Sequence, residues 1–369
     1  MIIIVGAGSH GLSLAYHLYK EGIKDVSIIE AKNVGYGSSS RNASRYRYHF
    51  NSKENIEFAK SAIPYLWSQY KELILNVFMF NTGYLWILRT DEEIRTINKL
   101  DSIWREEGIG GKFIRCNEFE FLKFDGECYF APQNGSFHHD YLLYSYYLKI
   151  KDKYQFIYRE ADKIIIENSK VKGVKLSTGE VINGDTVVIT AGAWSGELMK
   201  KNNFNVPIFP EKKEIFITES LRYMVKPLVI DQTNQVYFSH TLKGEIIGGT
   251  STPHEYGFYE FSNSIQELSK FLRGVRSLVK GAEGIGIMRG WSGYYEMTPD
   301  NSHIMGFSNE WPEGLYIDAG YSGHGMMFSP YSGKILSKLI LDGYVDNQIT
   351  RFSPDRFKEG KLIGEKLVI

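Results

Sequence analysis

Gly6, Gly8 and Gly11 follow one another with the spacing G-x-G-x-x-G, and Glu30 lies 19 residues beyond the last of them. Each position has a chemical use. Gly6 permits a tight turn, Gly8 lets backbone approach a pyrophosphate, and Gly11 lets a helix pack closely on a strand. A helix that starts there presents free N–H groups and a partial positive charge to phosphate oxygens. The Glu30 carboxylate can accept hydrogen bonds from a ribose hydroxyl. This chemistry is that of dinucleotide binding, and the motif alone does not separate one dinucleotide from another.

The flanking residues supply the elements that such a site needs. Ile2 to Val5 is a β-branched run suited to a strand buried on both faces. Apolar residues recur at helical spacing from Leu12 to Tyr19, and Gly22 is the stop. Val26 to Ile29 reads as the second strand, ending at Glu30. Far along the chain a second strand, glycine turn and helix appear. Leu315–Ala319 runs into Gly320-Tyr321-Ser322-Gly323-His324-Gly325-Met326, then a helix with Ile335, Leu336, Leu339 and Ile340 on one face. Gly343 ends that helix, and Pro330 suits its first turn. A nicotinamide-dinucleotide domain closes within one contiguous segment. A flavin calls for a second helix terminus, aimed at the ring edge where negative charge collects on reduction. The hydroxyl-rich stretch Gly37-Ser38-Ser39-Ser40-Arg41-Asn42-Ala43-Ser44 can wrap a second face of the pyrophosphate.

These segments, with Val187–Ser195, Tyr294–Asp300 and Phe352–Phe357, follow one another over nearly the whole chain. In that order they resemble the D-amino-acid oxidase superfamily of FAD-dependent flavoproteins. The similarity is greatest to the branch of sarcosine oxidase β-subunits, glycine oxidases and dye-linked proline dehydrogenase β-subunits. The resemblance implies an α/β protein. A discontinuous Rossmann-type FAD-binding domain of the glutathione-reductase-2 kind would be interleaved with an α+β substrate domain on an antiparallel sheet. The expected FAD-binding parts are 1–80, 141–205 and 300–369, and the expected substrate parts are 81–140 and 206–299. Short strands from Ile164 to Ile182, alternating segments at 214–218 and 235–238, and a helical spacing over 261–280 agree with this division. No linker and no repeat is visible.

The resemblance assigns FAD contacts to Gly6, Gly8, Ser9, His10 and Gly11, to Glu30, Ala31 and Lys32, and to Gly37, Ser38, Ser39, Ser40, Arg41, Asn42 and Ala43. It adds Ile164, Ala191, Gly192, Trp194, Gly293, Gly320, Ser322, Gly323, His324, Gly325 and Met326. Monomeric sarcosine oxidases carry a flavin-linking cysteine where this chain has Gly293, so non-covalent FAD is expected. They also carry a lysine where this chain has Met327.

The implied reaction is hydride transfer from the carbon beside an amine to flavin N5, giving an imine that water hydrolyses. The flavin does the chemistry, and the protein must fix the substrate carboxylate, hold the carbon and exclude water. No metal is implied. A guanidinium suits the carboxylate because it binds bidentately. Arg47 matches the family's arginine, Arg45 replaces a family glycine, and Arg289 is a third candidate. His49 could line the flavin face, His324 could contact the flavin or brace its turn, and Tyr237, Tyr294 and Tyr295 could cap the substrate. His138 and His139 read as a surface turn. The expected substrate is a small secondary amino acid such as sarcosine or proline. The alternatives are glycine, another primary amino acid or a 2-hydroxy acid, and a flavin-bearing electron-transfer subunit of a larger, hetero-oligomeric dehydrogenase. Oxygen, a quinone or a partner protein would accept the electrons.

Composition narrows the classes further. Lys+Arg and Asp+Glu both number 43, so the strong basic field of a nucleic-acid binder is absent. No apolar run approaches the ~18 residues of a membrane span. Cys116 and Cys128 are too few for a disulfide framework and read as two unpaired thiols of a cytoplasmic protein.

Overall fold

The computed structural model describes residues 1–220 and 222–367. The chain begins β1 (Ile2–Val5), α1 (Ser9–Lys20), β2 (Val26–Ile29), β3 (Arg45–Tyr46), α2 (Lys53–Ser68), β4 (Tyr84–Leu88), α3 (Asp91–Glu106). It continues through β5 (Lys112–Arg115), β6 (Glu127–Ala131), β7 (Gly135–Ser136), α4 (His139–Ile150), β8 (Gln155–Ile157), β9 (Ala161–Glu167), β10 (Lys170–Leu176), β11 (Val181–Asn183), β12 (Thr186–Ile189) and α5 (Ser195–Lys201). Then come β13 (Phe209–Ser220), β14 (Leu228–Asp231), β15 (Val236–His240), β16 (Glu245–Thr250), α6 (Ile265–Leu278), β17 (Ile287–Met297), β18 (Ile304–Gly306), β19 (Leu315–Ala319), α7 (Gly325–Asp342) and α8 (Asn347–Arg351).

Two large sheets carry the architecture. The first has the order β18-β19-β12-β1-β2-β8, with β1 parallel to both β2 and β12 and only β18 antiparallel. Its alternate residues face different cores. Ile2 and Ile4 pack with α1 and α7, while Ile3 and Val5 pack against Val171, Val174 and Leu176 of the small β9–β11 sheet. Burial on both faces explains the uninterrupted β-branched run of β1. The second sheet has the order β17-β13-β16-β15-β14-β4-β6-β5 and is antiparallel apart from β14 and β4. Helix α6 covers one of its faces through Phe271, Val275 and Leu278. Its N-cap is Ser264, so the helix is shorter than the 261–280 spacing suggests.

Helix α7 crosses α1 at very close range, where a Cβ on Gly333 would come within 2.3 Å of Ser13 Oγ. This glycine holds two helix N-termini at one end of the parallel sheet.

Three expectations are overturned here. Cys116 and Cys128 form a disulfide, with Cα atoms 5.2 Å apart, inside the core between the second sheet and α6. The hairpin of β5 and β6 brings them together, which a count of cysteines does not reveal. Pro330 is not in the first turn of its helix, because α7 starts at Gly325. The carbonyl that Pro330 leaves without an N–H, Met326 O, accepts the Ser329 hydroxyl at 3.0 Å. His138 and His139 do not form a free turn. His138 caps α4, its ring accepting the Tyr141 N–H, and His139 is the first helical residue.

Candidate active site

The glycine motif builds one end of a cavity of about 510 Å³ that runs from the α1 N-terminus to the second sheet. Gly6 adopts φ +114°, and a Cβ there would meet Thr190 O at 2.4 Å. A Cβ on Gly11 would come within 2.0 Å of Gly6 O, so the helix can start this close to the strand only with glycine. Gly8 differs: its Cβ would meet only Ser39 Oγ, at 3.0 Å, on the side open to the cavity. Glu30 accepts the Ala7 and Lys32 N–H groups at 2.9 and 2.8 Å, which fixes its carboxylate at the cavity edge. The 37–44 turn is tied down at both ends. Ser39 Oγ accepts the Ser9 N–H at 3.0 Å, Ser38 Oγ accepts the Tyr294 N–H at 3.3 Å, and Arg41 lies 4.0 Å over the Phe261 ring.

A second helix terminus opens into the same cavity. Ser322, with φ +47°, and Gly323, with φ +95°, turn the chain from β19 into α7. Neither α1 nor α7 has a side chain capping it from its own N-cap residue, Gly8 or His324. Two helix termini that their own N-cap residues leave open, with α1 capped only at Ser9 by Ser39, fit a group with a pyrophosphate at one end and a developing negative charge at the other. His324 is 5% exposed, and both its ring nitrogens lack a partner among the described residues. Burial pushes it well below the usual histidine range, so it faces the cavity neutral. Such orphaned polar atoms fit a bound cofactor or substrate.

Behind this turn lies a buried polar network. His10 Nδ1 is 3.0 Å from Asp318 and 2.9 Å from Ser332, and its ring stacks on Tyr321. Burial pulls the imidazole down, but the Asp318 carboxylate overcomes this and holds it above its ordinary value. Glu296 lines the cavity and accepts the Gly320 N–H at 2.8 Å; burial raises its carboxyl.

The other end of the cavity is walled by Arg45, Arg47, Tyr84, Lys213, Ile215, Leu228, Tyr237, Tyr295 and Met327. Tyr237 and Tyr295 share a side-chain hydrogen bond. Burial pushes Tyr295 up to about 12 against the opposing charge of Arg47. Lys213 is neutralised by Glu211 at 2.7 Å. Arg47 is not: among the described residues no carboxylate lies within ion-pair distance of it or of Arg45. Arg47 donates to the Leu367 and His49 carbonyls and packs 4.3 Å from the Phe50 ring. Burial lowers its guanidinium from the ordinary value. Arg45 donates to Ser239 Oγ and His240 O, and its Nε lacks a partner among the described residues.

Most residues expected at the site converge on this cavity, including Ser9, Ala31, Lys32, Gly37, Asn42, Ala43, Ala191, Gly192, Trp194, Gly293, Gly325 and Met326. Several do not. His49 is fully buried against Trp104 and Trp86, with Nδ1 3.1 Å from Asn134 Oδ1, and burial lowers it to about 4. It is a neutral core residue and does not line the cavity. Ile164 points into the core of the β9–β11 sheet, and Ala161, three residues earlier, lines the cavity instead. Gly11 and Gly320 act through packing and turn geometry, and Ser40 faces a neighbouring cavity. Arg289 is exposed beside Trp291 in that same neighbouring cavity. Tyr84, Lys213, Glu296 and Asp318 line the cavity and escaped the sequence reading. The alternation of Lys213 and Ile215 along β13 is the signal that could have found one of them.

The profile of the FAD dependent oxidoreductase (DAO) family matches residues 1–339. The sarcosine oxidase subunit beta of Rhodobacter capsulatus is 26% identical over 381 residues, covering 99% of this chain and 90% of that protein. The crystal structure of L-proline dehydrogenase from P. horikoshii is similar with a TM-score of 0.89 and 28% identity, covering 98% of each chain. Glycine oxidase from Geobacillus kaustophilus shares the fold, with a TM-score of 0.86 at 22% identity, covering 96% of this chain and 98% of that one. Among the described residues no helix is long and apolar enough to cross a membrane.

Proposed function

This chain belongs to the DAO family of FAD dependent oxidoreductases, and from that premise we propose that it oxidises the C–N bond of a small secondary amino acid such as sarcosine or proline. FAD supplies the hydride acceptor. The observation that carries the reading is Arg47: a buried guanidinium on the cavity wall, held by carbonyls and, among the described residues, left without a contacting carboxylate. Such a charge is costly to bury and is compensated when an anionic substrate arrives. Tyr237 and Tyr295 wall the same end, while Ile215, Leu228 and Met327 give it an apolar lining that excludes water. A compact amino acid suits this arrangement. Gly293 lines the cavity without a thiol, and its Cβ would meet Arg41 Cβ at 3.0 Å, which supports non-covalent FAD. Acid precipitation should leave the flavin in the supernatant.

The test is anaerobic bleaching of the bound flavin across secondary amino acids, primary amino acids and 2-hydroxy acids. Fastest bleaching by secondary amino acids is expected. Bleaching by hydroxy acids or glycine alone would transfer the assignment to those classes. A second reading concerns the electron acceptor. Relatives named as subunits match this chain along nearly its whole length, which supports a partner chain beside this one as a carrier of the electrons. Reoxidation of the isolated, substrate-reduced chain by oxygen at the rate of turnover would rule that out.

A further inference from the structure

Two arginines that brace the fold of this protein, Arg356 and Arg89, are paired with carboxylates. Arg356 meets Asp300 through two bonds of 2.8 and 3.0 Å, and Arg89 meets Asp231 at 3.0 and 2.7 Å. Arg47 is treated differently. Its Nη2 donates to the carbonyl of Leu367, 320 residues away, in a stretch that is neither helix nor strand. A carbonyl can orient a guanidinium without cancelling its charge, and so leaves both the charge and the remaining N–H groups for a ligand.

The stretch that brings Leu367 there is closely tied down. Ile363 N donates to Asp300 Oδ2 at 3.1 Å, and Glu365 N donates to Asp300 O at 3.0 Å. The Glu365 side chain is 1% exposed and makes no ion pair with Arg47, although its charge favours the Arg47 cation from a distance. Its carboxylate accepts four groups instead: Asn51 N at 3.1 Å, Ser52 N at 3.1 Å, Ser52 Oγ at 2.8 Å and Leu367 N at 2.8 Å. Asn51 completes the clasp, its Oδ1 accepting Leu367 N at 3.2 Å. One carboxylate therefore joins the loop just after Arg47 to the residue whose carbonyl holds Arg47.

We propose that Glu365 is a positioning residue for substrate capture: by clasping 51–52 to Leu367 it seats the carbonyl that aims Arg47 at the substrate carboxylate. The proposal rests on the carboxylate role given to Arg47 above.

The test uses the FAD-loaded protein. Binding of acetate, as a carboxylate probe, and of a carboxylate-free secondary amine is measured by perturbation of the flavin spectrum. Glu365→Gln keeps the shape but replaces one acceptor oxygen by an amide N–H₂, which then faces two N–H donors. Asn51→Ala opens the clasp from the other side and serves if Glu365→Gln does not fold. Either variant should weaken acetate binding by about 10-fold, as one misaligned charged hydrogen bond would. Amine affinity, flavin content and kcat at saturating substrate should stay within about twofold. Glu365→Asp, which keeps the charge, should recover part of the loss. Unchanged acetate binding in both variants would overturn the proposal, as would equal losses for acetate and amine. Arg47→Lys is measured alongside. If it weakens acetate binding and the clasp variants do not, the clasp alone fails; if it does not, the carboxylate role of Arg47 fails with it.

Discussion

The two ends of the one cavity are built by different means. At the dinucleotide end the contacts are backbone: helix termini and glycine turns at 6–11, 37–44 and 320–325, each contiguous in sequence. At the substrate end the contacts are side chains from β3, β4, β13, β15, β17 and α7, and even the sulfur of Met327 lies 280 residues from the Arg47 N–H that reaches it at 3.3 Å. Backbone sites constrain residue type severely, because a Cβ in the wrong place collides with main chain. Side-chain sites constrain only which residues share a face after folding. The first end should therefore fail abruptly when altered and the second in graded, ligand-specific steps.

The sharpest failures are expected from the glycines. Gly11→Ala drives a Cβ into Gly6 O and should destabilise the protein by on the order of 2–4 kcal/mol as α1 is displaced, with flavin lost. Gly8→Val should instead leave the apoprotein near wild-type stability while abolishing FAD binding, since its side chain projects where backbone meets pyrophosphate. Thermal unfolding of the apoproteins with flavin absorbance reads both. Equal melting points for the two apoproteins would break the distinction between packing glycine and contact glycine.

Next in size is the disulfide, remote from both ends. Its cysteines are 12 residues apart, a loop whose closure is worth about 3 kcal/mol in the unfolded chain. Replacing Cys116 and Cys128 by serine should lower stability by about that amount and leave flavin content and substrate affinity unchanged. A loss of flavin would tie the second core to the cofactor. Glu30→Ala is expected to be milder at the cofactor, weakening FAD by about 1–3 kcal/mol, because only a charge-assisted hydrogen bond to a ribose hydroxyl is removed. Equilibrium titration of the apoprotein with FAD measures it, and unchanged affinity would remove Glu30 from the site.

The same contrast explains what was legible in the sequence. The 6–11 and 320–325 turns could be read because steric demand leaves glycine at fixed spacing. The strands and helices beside them follow from period alone. His49 could not be placed, because it follows Arg47 by two residues while the chain there leaves β3 and turns its ring under Trp104. Ile164 and Ala161 lie on one short strand, and its twist and bulge decide which of them reaches the cavity. Cys116 and Cys128 pair only because β5 and β6 form a hairpin. Pro330 falls in the second turn of α7 because the helix starts two residues after the last left-handed residue of the turn, Gly323, and helical period alone does not mark that start. Glu296 and Asp318 look like ordinary carboxylates until burial and their partners are known.

The account stands most directly on Arg47. Flavin content and anaerobic reduction rates should be measured on one preparation each of wild type and Arg47→Lys, with a carboxylate-bearing secondary amine and its carboxylate-free analogue. Lysine keeps the charge but loses the planar fork, so reduction by the first substrate should fall by one to two decades in catalytic efficiency, about 1.5–3 kcal/mol. Flavin should stay fully bound, and the carboxylate-free amine should be reduced as in wild type. Unchanged efficiency with the carboxylate substrate at full flavin occupancy would contradict the account, and so would flavin lost together with activity.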